Sequence, residues 1–432
     1  MSNKSFKPKR RKNGTDEEWR ERNLKWLEEI TTPSLSEEQQ NWLNSKMPKD
    51  VEIKIKTNTE TKTETRPAIS GRVALLVQDA SEAIKSKYKF LAIEETDELL
   101  YYRDGVYKQG GDKLIAKVLE AKYGYELNDH SLSQVIGHIN RSTYHKREEL
   151  DSDINIINLK NGLYHIQEDI LTPHTPDHLS VKQKPITHNR DAVAKRFPSF
   201  LNEVLYEQNI QTAIDVLAYT FRRDYDIEII VKLYGFGNNG KSVFTSLATA
   251  LHGAENVSNV PLDQLIKNNF ALSGLKDKDI NIDNELGRHT ISESAVLKRL
   301  TGGSRQPVRV EEKNKPAYDT TLYAKLIFNV NNMPDSVDKS DAYNRRVVIL
   351  SSPYQFEGEN EDKQLISKLT TEEEKSAIFN TLMDALRRII ETKEIRVNEK
   401  TIEERRAKYE RAVNPWKSFY EKRYLSIHRK VM

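Results

Sequence analysis

The segment Gly235-Phe236-Gly237-Asn238-Asn239-Gly240-Lys241-Ser242 spaces glycines, a lysine and a hydroxyl as an anion-wrapping chain requires. Glycines free successive backbone N–H groups to turn inward on phosphate oxygens. Lys241 reaches the terminal phosphates, and the Ser242 hydroxyl ligates Mg²⁺. The apolar run Ile227–Tyr234 reads as a strand before this loop. Ser242–His252 reads as a helix after it, with Gly253 as its stop. The helix then adds its positive end to the loop. Gly235, Gly237, Asn238, Asn239, Gly240, Lys241, Ser242 and Val243 are expected to hold a nucleoside triphosphate.

Hydrolysis asks for more: a carboxylate at the end of a neighbouring strand, to complete the Mg²⁺ shell and orient water. Ile280-Asn281-Ile282-Asp283-Asn284-Glu285 offers one. Glu285 is expected to polarise the water, and either Asp283 or Asn284 supports the metal. A third apolar strand, Ala324–Val330, delivers the amide of Asn331 at its carboxyl end, where open α/β sheets bind ligands. The adjacent pair Arg345-Arg346 precedes a fourth strand, Val347–Leu350. It is either a solvated surface pair or the source of a positive charge supplied across a subunit boundary. Asp151 and Asp153 form an Asp-x-Asp pair, but no third carboxylate accompanies it, and a solvated loop is the expectation.

These elements sit in a chain of 432 residues with net charge +3. Its charged fraction of 31% exceeds the ordinary ~25%, and its apolar fraction of 37% falls short of ~45–50%. Nucleic-acid contact must therefore come from local basic clusters. The absence of cysteine excludes disulfides, thiolate metal sites and thiol nucleophiles. No apolar run approaches the ~20 residues of a membrane span. Lys4, Lys7, Lys9, Arg10, Arg11 and Lys12 have no apolar stretch behind them, so no secretory signal is read, and the cytoplasm, beside the nucleoid, is the expected location.

Residues 1–70 are expected to form a flexible arm, with a helix near Glu17–Ile30 and a basic start that is either a nucleic-acid arm or a solubilising tail. Short strands at Phe90–Ile93 and Leu99–Tyr102, helices at Leu114–Tyr123 and Leu132–Tyr144, and a strand at Ile154–Leu159 populate a second region, 71–200. Residues 201–355 alternate strand and helix, and 356–432 are helical and highly charged.

In order and spacing, the loop, the acidic strand end, Asn331 and the arginine pair resemble superfamily 3 helicases, more narrowly the poxviral and phage/plasmid primase-helicase ATPases. Asn161-Gly162-Leu163 with Thr172–Pro176, Asn256-Val257 with Pro261-Leu262, and Phe270–Leu272 carry the likeness further. Lys298-Arg299-Leu300-Thr301-Gly302-Gly303 resembles the motif peculiar to that superfamily, which leads into a DNA-gripping hairpin. The resemblance implies a P-loop AAA+-like α/β core with a parallel sheet (201–355). A smaller mixed α+β/helical collar or oligomerisation domain (71–200) precedes it and a helical tail (356–432) follows. It also implies an ATP- and Mg²⁺-dependent helicase for replication of a virus, plasmid or integrated element, forming a hexameric ring that moves 3′ to 5′. Lys241, Glu285, Asn331, Arg345 and Arg346 would be catalytic, with Ser242, Asp283 and Glu285 around the metal. Lys298, Arg305, Arg309, Lys313 and Lys315 would contact DNA. Partners would be single-stranded and forked DNA, other copies of the chain and a separate primase or polymerase, with no membrane. Residues 1–130 are too short and polar for a primase-polymerase module, and relatives often place a winged-helix domain beyond the position of Met432. Another ring ATPase (a packaging motor or initiator) and a non-hydrolysing DNA scaffold are the competing readings. The Lys298–Gly303 motif opposes the first, and the water-activating set opposes the second.

Overall fold

The computed structural model describes residues 68–123, 128–284, 294–302, 307–313, 317–336, 338, 340–358 and 361–414. The expected arm, with its helix, lies outside them apart from its last residues. Two compact units are formed: residues 68–87 with 111–142, and residues 88–110 with 143–414.

The first unit is helical, with α1 (Ala68–Lys87), α2 (Gly111–Tyr123) and α3 (Asp129–Ser142). Ala80 with Ile84, Ile115 with Leu119 and Val135 with Ile139 are buried, each pair four residues apart and so on one helix face.

The second unit opens with β1 (Phe90–Ile93), β2 (Glu98–Arg103), β3 (Val106–Gln109) and β4 (Tyr144–His145), in the sheet order β3-β2-β1-β4. The antiparallel strands β5 (Ile156–Leu159), β6 (Gly162–His165) and β7 (Ile170–Thr172) follow. Two helices, α4 (Phe197–Val204) and α5 (Glu207–Tyr219), lead into the main sheet.

That sheet contains β8 (Ile230–Tyr234), β9 (Val257–Ser258), β10 (Ile280–Asp283), β13 (Lys325–Val330) and β14 (Val347–Ser351). All are parallel, in the order β14-β8-β13-β10-β9. The connections are α6 (Lys241–His252), α7 (Leu262–Lys267), α8 (Ser294–Leu300), the hairpin β11 (Val308–Val310) with β12 (Tyr318–Thr320), and α9 (Asp341–Asn344). After β14 come α10 (Leu365–Leu369), α11 (Glu372–Thr392) and α12 (Ile402–Val413).

A parallel sheet covered on both faces needs strands that are apolar on both sides, and alternation assigns each residue to a layer. Val231, Leu233, Ile280, Ile282, Ile327, Val348 and Leu350 enter one core with α4, α5, α6 and α11. Ile230, Leu326, Phe328, Val330, Val347 and Ile349 enter the other with α7, α8, the hairpin and α12. β1–β3 cluster with the sheet unit and not with the helices of the 71–200 region. Phe379, Leu382, Met383 and Leu386 of α11 share the core of the sheet, so the helices after 356 are one of its covering layers rather than an appended tail. Among the described residues, no helix is long and apolar enough to cross a membrane.

Candidate functional site at the carboxyl edge of the sheet

β8 is first of the five strands in sequence but lies between the last two, β13 and β14. The chain leaving it is therefore flanked on both sides. Gly235 N donates to Val330 O at 3.1 Å, and Ser352 N donates to Tyr234 O at 2.8 Å. Space is tight at two glycines. A Cβ on Gly235 would lie 2.4 Å from Ser352 O, and one on Gly240 would lie 2.4 Å from Val204 Cγ1. Gly240 also has φ +83°, which a side chain would strain. Asn238 takes a left-handed conformation as well, at φ 55°, as asparagine tolerates. At Gly237 a Cβ would meet nothing within 4 Å, so the fold does not require glycine there.

Lys241 opens α6 with its side chain folded back into the loop. Its Nζ donates to Gly235 O (2.5 Å), Asn239 Oδ1 (3.0 Å) and Phe236 O (3.3 Å). Burial without a carboxylate partner pushes its pKa down to about 8. Asn239, itself buried, donates from Nδ2 to Ser352 O at 3.3 Å and so ties the loop to the chain beyond β14. Phe356 N donates to Asn238 O (2.7 Å) and Gln355 Nε2 to Gly237 O (3.2 Å), extending that strap. Ser242 is exposed in the first turn of the helix, while Val243 packs against the core.

The next strands bring the other expected groups to the same edge. Asp283 ends β10 and is buried, with Oδ2 accepting from Leu262 N at 2.9 Å. Asn284 is exposed, and its Oδ1 accepts from Asn329 Nδ2 at 2.9 Å. Asn331 is exposed one residue past the end of β13. Because β13 lies between β8 and β10, Asn331 emerges between the loop and the acidic strand end. Glu285, the expected water polariser, lies outside the described residues.

Sequence reasoning passed over Asn329, although an amide inside the apolar strand Lys325–Val330 was the available signal. It also passed over Ser352 and Gln355, which carry no local signal and are recruited by the return of β14.

The arginine pair is separated in role. Arg346 is buried: Nη2 lies 2.9 Å from Glu228 Oε2, Nε donates to Thr301 Oγ1 at 3.2 Å, and Nη1 donates to Ala342 O. A guanidinium held in this way braces its own subunit. Arg345 is exposed and pairs with Glu228 at 2.6 Å. Both precede β14, whose Val347 is level with Ile230, so they lie at the opposite edge of the sheet from the loop. Four to five residues of strand put them roughly 15 Å away, beyond the reach of an arginine side chain within one subunit.

The hairpin after the Lys298–Gly303 motif is present, with Arg309 and Lys313 exposed. Arg309 faces Asp319 across it. Lys298 is ion-paired with Asp338 at 2.7 Å. Arg305 and Lys315 lie outside the described residues. The Asp151–Asp153 pair is structural. Asp151 accepts from Ser180 Oγ (2.7 Å) and Val181 N (3.2 Å) and faces Arg223 at 3.6 Å, while Asp153 caps Asn155 N at 2.8 Å. These contacts hold the loop in place, and Ser152 and Asp153 are exposed on it, as expected of a solvated loop.

Residues 9–206 match the family described as D5 N terminal like, and residues 233–346 match a family of unknown function (DUF5906). Among solved structures, the apo structure of the NrS-1 C-terminal region (305–718) is similar at 13% identity and a TM-score of 0.48, over 73% of this chain and 74% of that one. The A form of the same apo region is similar at 12% identity and a TM-score of 0.46, with the same coverage.

Proposed function

We propose that this chain, whose residues 9–206 match the D5 N terminal like family, is an ATP-driven DNA helicase that acts as a ring, hexameric and moving 3′ to 5′ as the resemblance implies. The observation that carries this reading is the convergence of the glycine loop, Asp283 and Asn331 at one edge of a single parallel sheet. The cradle suits phosphate: two glycines admit the close approach of neighbouring chain, and Lys241 already sits among loop oxygens that an anion would replace as its partners. Ser242 and Asp283 would hold Mg²⁺, which neutralises phosphate charge when bound. Asn331 would orient the water, and Glu285 would polarise it.

Arg345 belongs to a second copy's site in this reading. Its exposure and its distance from the loop of its own subunit both support a role across the boundary between copies. The hairpin, with Arg309 and Lys313 outward, would grip the phosphate backbone without reading sequence, as a motor must. Thr301, seven positions before the hairpin in sequence, is bonded to Arg346, and this contact would couple nucleotide state to DNA grip.

The test is strand displacement on 3′- and 5′-tailed duplexes with ATP, alongside Lys241→Ala. Unwinding of the 3′-tailed substrate by the natural chain and none by the variant is expected. Hydrolysis that persists in the purified variant would overturn the assignment.

A further inference from the structure

Beside the phosphate cradle, two tyrosines from distant parts of the chain converge. Tyr206 caps the start of α5, and Tyr354 lies just beyond β14. Their ring centroids are 6.5 Å apart and their planes tilted by 56°. Both remain about half exposed, at 46% and 51%, although large aromatics usually bury most of their surface.

The position of the pair is set by the loop. Tyr354 lies inside the strap, between Ser352, whose carbonyl lies against Gly235 and Asn239, and Gln355 and Phe356, which bond Gly237 and Asn238. Tyr206 follows Val204, the residue packed against Gly240. Each ring is thus within two residues of an atom touching the cradle, on the side where α4 and the strap meet.

We propose that the base of the bound nucleotide packs on the Tyr206–Tyr354 pair. The inference rests on the phosphate-loop reading and names what the rest of the ligand meets. A triphosphate held by the loop carries its ribose and base a short covalent reach away, and a planar heterocycle is the group that an exposed, tilted aromatic pair accommodates. One ring takes the base face and the other its edge. Such contacts read π-surface rather than hydrogen-bonding edges, so they favour purines over pyrimidines and tolerate either purine.

The experiment is titration calorimetry of the full chain, in Mg²⁺, with ATP, GTP, CTP and inorganic tripolyphosphate, which has phosphates but no base. Both tyrosines are surface residues, so their substitution leaves the core intact. Tyr354→Ala and Tyr206→Ala are each expected to weaken ATP binding about 5- to 100-fold, the equivalent of ~1–3 kcal/mol of stacking. Tripolyphosphate affinity should stay within about twofold of the natural chain's. Tyr354→Phe should bind ATP as the natural chain does, and CTP should bind more weakly than ATP or GTP. Unchanged ATP affinity in both alanine variants, with binding abolished by Lys241→Ala, overturns the base site and leaves the phosphate reading standing. An equal loss of ATP and tripolyphosphate in the tyrosine variants also overturns it, since the rings would then be shaping the loop. If Lys241→Ala changes neither ligand, the phosphate reading falls and the base site with it.

Discussion

At the carboxyl ends of the five strands, Lys241 shares loop carbonyls, while Ser242, Asn284 and Asn331 face solvent. At the amino ends the polar groups are sealed in. Asp279, just before β10, is buried against Lys184, with Lys182 at 3.9 Å and His252 Nδ1 at 3.2 Å. Lys325, at the start of β13, is fully buried and donates to Arg222 O, Asp224 O and Tyr323 O at 2.7, 2.6 and 3.0 Å. Burial, acting against the nearby Asp279 carboxylate, pushes the pKa of His252 down to about 4, so it is neutral at pH 7. Burial pushes Lys325 down to about 7. The contrast teaches a division of labour. Groups that must meet a ligand stand where strands end in glycine and polar turns, and groups that hold the sheet are buried with their partners at the other end.

Arg345 tests this division hardest, because it lies at the sealed edge but points outward. Arg345→Ala is expected to reduce ATP hydrolysis in the assembled protein by about 10³-fold or more, while shifting stability by less than ~1 kcal/mol, as exposed ion pairs do. Mixing Arg345→Ala with Glu285→Gln subunits should restore part of the rate at mixed interfaces; no recovery at any ratio would remove Arg345 from the site.

Asp279→Ala comes next. It leaves Lys184 buried and unpaired, and a loss of ~3–5 kcal/mol in urea unfolding is expected. A loss under ~1 kcal/mol would show that the cluster is not what holds this edge. Arg346→Ala should cost ~2 kcal/mol, because Glu228 and Thr301 lose a buried donor. Its unfolding midpoint, set beside that of Arg345→Ala, separates brace from finger.

The smallest effect, reckoned per pH unit, concerns pH. Lys232, in the middle of β8, is buried and donates to Tyr409 Oη (3.0 Å) and Tyr343 Oη (3.2 Å), and burial pushes its pKa down to about 7. The unfolded chain then binds the extra proton between about pH 7 and the unfolded value near 10.5, so stability rises with pH across that window. Lys232 contributes up to ~1.4 kcal/mol per pH unit there. Lys232→Met is expected to flatten the rise measured by urea unfolding at pH 7, 8 and 9. An unchanged slope would mean that the lysine is protonated in the fold.

Much of the core was legible because its signals are local. The strands at 280–283, 325–330 and 347–351 and the helix ending at Gly253 announce themselves by apolar runs and a stop residue within a few positions. β8 proved shorter than its apolar run, starting at Ile230. The two-residue strand β9 is too short to carry a periodic pattern. Other features depend on partners remote in sequence. Adjacent arginines look alike until Glu228 and Thr301 are brought to Arg346 and solvent to Arg345. Tyr206 and Tyr354 are 148 positions apart by their numbers, and no pattern joins them.

The loop's composition, the helix that follows it and the apolar alternation that builds a parallel sheet are all written in the chain itself. Each of these follows from backbone freedom and side-chain polarity over a few neighbouring residues. Folding alone sets β8 between β13 and β14, brings Asn331 out beside the loop, turns Arg345 outward while burying Arg346, and sets two tyrosines beside the cradle. These depend on strand order and packing, where contacts between residues far apart in sequence choose which side chains are buried and which are left to meet a ligand.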